Sequence, residues 1–119
     1  MNQHRLRVRH SGAIAIIDLE GDLSHDSEGP LLGALRDPHV LPSSVVVLNF
    51  AGVGYINSAG ISLLVSLVAE VIHTERTLLA CCLSPHYRKI FRMVGLTEYI
   101  QVFETELDAL RGTEPGKAR

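Results

Sequence analysis

The sequence has no tryptophan, three phenylalanines, three tyrosines and two cysteines in 119 residues. So little aromatic surface, with no basic stripe interleaved through it, argues against a nucleic-acid binder. Neither charge sign dominates: 11 Lys and Arg stand against 13 Asp and Glu, a formal net charge of −2. A nearly neutral chain lacks the long-range field that draws basic proteins to nucleic acid or anionic membranes. No apolar run approaches the roughly 18–20 residues needed to cross a bilayer. The longest is broken by Asn49, Asn57 and Ser58, so direct membrane insertion is not expected. The opening residues Met1-Asn2-Gln3-His4-Arg5 lack the apolar stretch of a signal peptide.

The two cysteines, Cys81 and Cys82, are adjacent. Neighbours on a strand point to opposite faces, so the pair is expected to stay unbridged as reduced core residues. Together with the polar start, this predicts a cytoplasmic protein. The six histidines (His4, His10, His25, His39, His73 and His86) show no His-x-x-x-His spacing, and Cys-x-x-Cys is absent. No metal or other cofactor is expected.

What is present is a chain with 46% hydrophobic residues, enough to bury the core of one domain. Residues 6–10 alternate apolar with basic and read as an edge strand. Ser11-Gly12 signals a turn, and residues 13–19 form the second arm of a hairpin ended by Glu20-Gly21-Asp22. A helix over 27–36 follows, with Leu31, Leu32 and Leu35 on one face, then a loop punctuated by Pro38 and Pro42. Residues 45–50 are almost continuously apolar, as in a central strand covered on both faces. A glycine turn at 51–54 leads to a helix over 58–74, whose apolar stripe is Ile61, Leu64, Val65, Leu67, Val68, Val71 and Ile72. A strand over 77–83 precedes a helix opened by Ser84-Pro85, carrying Ile90, Phe91, Met93 and Val94 and stopped by Gly95. A short strand at 100–103 and a helix at 104–111 complete the order β-β-α-β-α-β-α-β-α. The expected fold is α/β: one domain over 1–111, a mixed four- to five-stranded sheet with helices packed on it, and a polar tail at 112–119.

In open sheets of this kind ligands and partners gather at the carboxyl ends of the strands, which points to the segment 49–60. Ser58 falls at the helix start, where local chemistry supports two roles. Its hydroxyl could cap free backbone N–H groups. Alternatively, those N–H groups and the helix dipole suit an anion, so a phosphate on Ser58 would be tolerated there. Competing motifs are incomplete. Gly52-x-Gly54 lacks the third glycine of a dinucleotide fingerprint, and Ser58 is not within Gly-x-Ser-x-Gly. Asp22, Asp26 and Glu28 lack the glycine and terminal acid of a calcium loop. Arg88, Lys89 and Arg92 read as a solvated helix face, with a partner rim as the other reading. No acid, base and nucleophile converge, so no catalytic residue is expected and the chain does not read as an enzyme.

The run 45–61, VVVLNFAGVGYINSAGI, resembles the signature of STAS domains, which occur in anti-sigma factor antagonists. There a buried strand ends in Asp, and Asp-Ser-Ser/Thr-Gly-Leu opens a helix after a short turn. The resemblance extends through Ile14 to Gly21 and Leu23, Leu83-Ser84-Pro85, FRMVGL at 91–96 and the closing residues 103–110, and so spans nearly the whole chain. It implies an anti-sigma factor antagonist whose partner is an anti-sigma factor and serine protein kinase. It also implies that Ser58 is the phosphoacceptor, with Asn49, Asn57, Ala59 and Gly60 as partner-binding residues. Asn49 and Asn57 depart from the family pattern by replacing acids, keeping hydrogen-bonding capacity without charge. The alternative implied by the same fold is an unphosphorylated scaffold or assembly subunit, stressosome-like or associated with a membrane transport ATPase. A homodimer or larger assembly stays open.

Overall fold

A computed structural model describes residues 5–112. Among the described residues five strands and four α-helices follow one another, with 3-10 turns at His25–Ser27 and Leu96–Glu98: β1 (Arg5–Ser11), β2 (Ile14–Leu23), α1 (Glu28–Arg36), β3 (Val45–Ile56), α2 (Ser58–His73), β4 (Thr77–Cys81), α3 (Pro85–Met93), β5 (Ile100–Phe103) and α4 (Glu106–Arg111). Their order is the one expected from the hydrophobic patterning. The expected tail at 112–119 lies, beyond Gly112, outside the described residues.

The strands pair in chain order, β1-β2-β3-β4-β5, to make one five-stranded mixed sheet. β1 and β2 are an antiparallel hairpin closed at Ser11 and Ile14. Gly12 turns it at φ 60, a left-handed conformation that costs glycine nothing. The remaining three pairings are parallel. Alternation along each strand then sorts the side chains. Ala15, Ile17, Leu19, Val46, Leu48, Leu78, Ala80 and Ile100 face α1, α2 and α3 in the main core. Ile16, Val47, Leu79 and Cys81 face the other way and are covered around Ala109 of α4. Within the main core, Phe50 and Phe91 meet edge to face with ring centroids 5.8 Å apart, tying β3 to α3.

Two expectations of strand length are corrected. The segments at 20–22 and 51–54 are not turns: β2 and β3 run on, pairing Glu20 with Gly52, Gly21 with Val53 and Leu23 with Ile56. Register shifts at Asp18/Glu20 and Gly21/Leu23 interrupt the ladder, so the glycines mark bulges and a close approach instead of a chain reversal. At Gly52 a β-carbon would lie 2.8 Å from the Leu19 carbonyl oxygen. β4 pairs with β3 only as far as Asn49, so the last part of β3 overhangs the sheet on β2 alone. β4 itself ends at Cys81, short of the expected 83.

The expected helix stripes are also adjusted. In α2 the buried residues are Gly60, Leu63, Leu64, Leu67, Val68 and Val71, while Val65 and Ile72 are 54% and 55% exposed. In α3, Tyr87 and Phe91 are buried, while Met93 and the capping residue Val94 just beyond the helix face solvent. Apolar periodicity locates a buried face to within one flanking residue, and here the sheet selects the flank carrying Leu63.

Candidate functional site

The overhang of β3 delivers the chain to the start of α2, and backbone contacts fix that delivery. The Ile56 N–H donates to the Tyr87 hydroxyl oxygen at 2.9 Å in a buried position. The Asn57 N–H donates to the Leu23 carbonyl at 3.2 Å. Asn57 is extended (φ −86, ψ −178), and its Oδ1 accepts from the Gly60 N–H at 2.8 Å. The helix cap is therefore Asn57, not Ser58. An extended residue one step earlier projects its side-chain carbonyl over the third N–H of the helix, the geometry that makes asparagine a strong cap.

Ser58 becomes the first helical residue and is exposed. Its hydroxyl is not spent on the cap. Ala59 is half-buried and Gly60 is buried. A β-carbon on Gly60 would stand 2.5 Å from the Leu23 carbonyl oxygen and 2.9 Å from Cγ2 of Ile56. Glycine is required because the first turn of α2 lies directly on the end of β2. No acidic residue occupies that first turn.

Asn49 lies elsewhere. It points to the face covered by α4, where its Oδ1 accepts from the Ala51 N–H at 2.9 Å and its Nδ2 donates to Glu106 Oε1 at 2.8 Å. The structure thus gathers Asn57, Ser58, Ala59 and Gly60 in one turn and puts Asn49 into a separate polar cluster. Arg9 is the centre of that cluster. It donates from Nε and Nη2 to Asp18 at 2.7 and 2.8 Å, and from Nη2 and Nη1 to Glu106 at 2.6 and 3.2 Å. The Arg9 guanidinium holds both carboxyls below their ordinary range, with Asn49 assisting at Glu106. Arg7, Arg9, Asp18, Glu20 and Asn49 line a cleft of about 520 Å³ on this face. Paired in this way, Asp18 and Glu106 keep their charge near neutrality.

Sequence reasoning missed the cluster and Tyr87. The first had a trace in the alternating arginines of β1, which parity puts on one face. The second had a trace in its position three residues after Ser84, whose Oγ accepts from the Tyr87 N–H at 3.2 Å and caps α3. Tyr87 also borders a smaller cleft of about 240 Å³ with Phe50, Ile56, Cys82 and Ser84. Among the described residues no group of three or more His, Cys, Asp or Glu side chains converges as a metal site. None of their helices is long and apolar enough to cross a membrane.

The sequence pattern of the STAS domain matches residues 5–109. The chain belongs to the STAS domain family. Solved structures similar to it include the anti-sigma factor antagonist SpoIIAA in its unphosphorylated form, at 17% identity and a TM-score of 0.66, covering 92% of this chain and 99% of that one. The phosphorylated form of the Bacillus cell fate determinant SpoIIAA gives 19% identity and a TM-score of 0.69, covering 92% and 100%. A sulfate transporter family protein from Wolinella succinogenes gives 19% identity and a TM-score of 0.76, covering 87% and 86%. At these identities the likeness shows a shared fold, and that fold serves differently named proteins.

Proposed function

We propose that this STAS domain is a cytoplasmic, non-enzymatic anti-sigma factor antagonist. In this reading it binds a partner that is both anti-sigma factor and serine kinase, and phosphorylation of Ser58 releases the partner. The observation that carries the reading is the division of labour between Asn57 and Ser58. Asn57 caps the helix, which leaves an exposed hydroxyl at the first helical position. A phosphate there would sit against free N–H groups and the positive end of a 16-residue helix. It would also add about −1.5 to −2 charges to a first turn that carries no acid. The partner surface would change its electrostatics without the fold being disturbed. Solved structures of SpoIIAA in both phosphorylation states lend support from a similar fold.

The test is incubation with candidate partner kinases and ATP, followed by phosphosite mapping. Phosphate at residue 58, lost in Ser58→Ala, and weaker partner binding by Ser58→Asp are the expected results. Equal binding by wild type, Ser58→Ala and Ser58→Asp would sink the switch.

A second reading, an unphosphorylated scaffold or assembly subunit, is favoured by the exposed Val65 and Ile72 on the outside of α2. Size measurement separates the two. A large complex that forms without phosphate uptake would favour the scaffold.

A further inference from the structure

The two cysteines do not obey strand alternation. Cys81 ends β4, paired with Asn49 and Phe103, and is buried against the α4 side of the sheet. Had the strand continued, Cys82 would point to the opposite face. Instead it takes φ 67, one of two non-glycine residues with positive φ among those described. That left-handed step brings the half-buried Cys82 onto the same α4-side cluster as Cys81. Its N–H donates to the Phe103 carbonyl at 3.3 Å, which anchors the step. Both cysteines are free.

We propose that Cys81 and Cys82 form a vicinal dithiol that a small hydroperoxide closes into a disulfide between neighbouring residues. Access comes from the cleft of about 240 Å³, which Cys82 lines. No Asp, Glu, Lys, Arg or His is among its other lining residues. Such a cleft suits a small neutral oxidant better than an anionic one such as oxidised glutathione. Cys81 is buried while Cys82 is half-buried and borders the cleft, so the reaction starts at Cys82; burial also pushes the Cys81 thiol up.

The Cys82 sulfur attacks one peroxide oxygen. The O–O bond breaks, and Cys82 becomes a sulfenic acid carrying the terminal peroxide oxygen and its hydrogen. The other oxygen takes the Cys82 thiol proton and leaves as the alcohol, or as water from hydrogen peroxide. The Cys81 sulfur then attacks the sulfenic sulfur. An S–S bond forms, the S–O bond breaks, and the oxygen departs as water with the Cys81 proton. Two electrons pass from the thiols to the peroxide. Adjacent Cα atoms are about 3.8 Å apart across a trans peptide, against roughly 4.4–6.8 Å in ordinary disulfides. The ring is strained, so its disulfide is readily reduced and the site is reversible.

The experiment uses the full chain, treated with hydrogen peroxide and then alkylated after denaturation. Tryptic cleavage isolates both cysteines on residues 77–88. The expected peptide is two hydrogens lighter and carries no alkyl group, and dithiothreitol restores both alkylation sites. Phenylarsine oxide, which bridges close thiol pairs, protects both cysteines in the reduced protein. Cys82→Ser, a change of one atom at a half-buried site, leaves Cys81 unoxidised under the same dose. A Cys82 sulfinic acid beside an alkylated Cys81 would overturn the proposal. So would a disulfide joining two chains, or two thiols still free after treatment.

Discussion

The hydroxyl of Tyr87 on α3 accepts the backbone N–H of Ile56, the residue before the α2 cap, at 2.9 Å. This single side chain sets the end of β3 against α3. Tyr87→Phe keeps the ring and leaves a buried N–H without a partner. The expected loss is about 1–3 kcal/mol, the cost of an unmade buried hydrogen bond. Urea unfolding checks it: the midpoint should fall while the slope is unchanged.

Replacing the cap separates its geometry from its charge. Asn57→Ala should cost about 1 kcal/mol, and Asn57→Asp should be nearly neutral or slightly stabilising, because a carboxylate accepts the Gly60 N–H equally well. Thermal unfolding of the two variants decides it. Equal losses in both would remove the cap from the account of this turn.

Glycines 60 and 33 should respond with opposite sign. A β-carbon at Gly60 would collide with the Leu23 backbone at 2.5 Å, whereas nothing lies within 4 Å of one at Gly33 in α1. Gly60→Ala is expected to lose about 1–3 kcal/mol or more through overpacking against an unyielding backbone. Gly33→Ala should gain about 0.5–1 kcal/mol from helix propensity. Paired denaturation curves provide the comparison.

Ser58→Asp should leave the fold intact, gaining about 0.3–1 kcal/mol from a carboxylate in the first helical turn. A fall in melting temperature would mean that the turn rejects negative charge, and the phosphate switch would lose its physical basis.

Acid should weaken the link between β1 and α4. Arg9 holds the Asp18 and Glu106 carboxyls below their ordinary range. Their contribution to stability is therefore full above the ordinary carboxylate range of about 4, and is lost as pH falls through the lowered values. Arg9→Gln should be less stable near neutrality and show a shallower acid limb. Because these side chains are partly exposed, raised salt should narrow the difference. Matched urea titrations between pH 3 and 7 measure it.

Element order and type were legible in the sequence because hydrophobic period distinguishes helix from strand. The lengths of β2 and β3 were not, since Gly21 and Gly52 signal a turn and a bulge alike. Parity puts Asn49 on the opposite face from Leu48, yet only tertiary packing shows that α4 waits there and that Glu106 meets it. At the candidate site the serine at the helix start was legible from its place after a buried strand, and its exposure came only with the structure. The assignment of the cap to Asn57 depended on one extended backbone angle, which local composition leaves open. The shared face of Cys81 and Cys82 also turned on one angle, φ at Cys82.

The chain-ordered sheet has a consequence for synthesis. As the chain emerges from the ribosome, each new strand meets the edge of the one just completed, because no later strand must insert between two earlier ones. Contacts form in the order of translation, which limits the time any central strand spends unpaired and prone to aggregate. The Arg9–Glu106 pair is different. It spans 97 positions, so it closes only after α4 has been made and joins the first strand described to that helix.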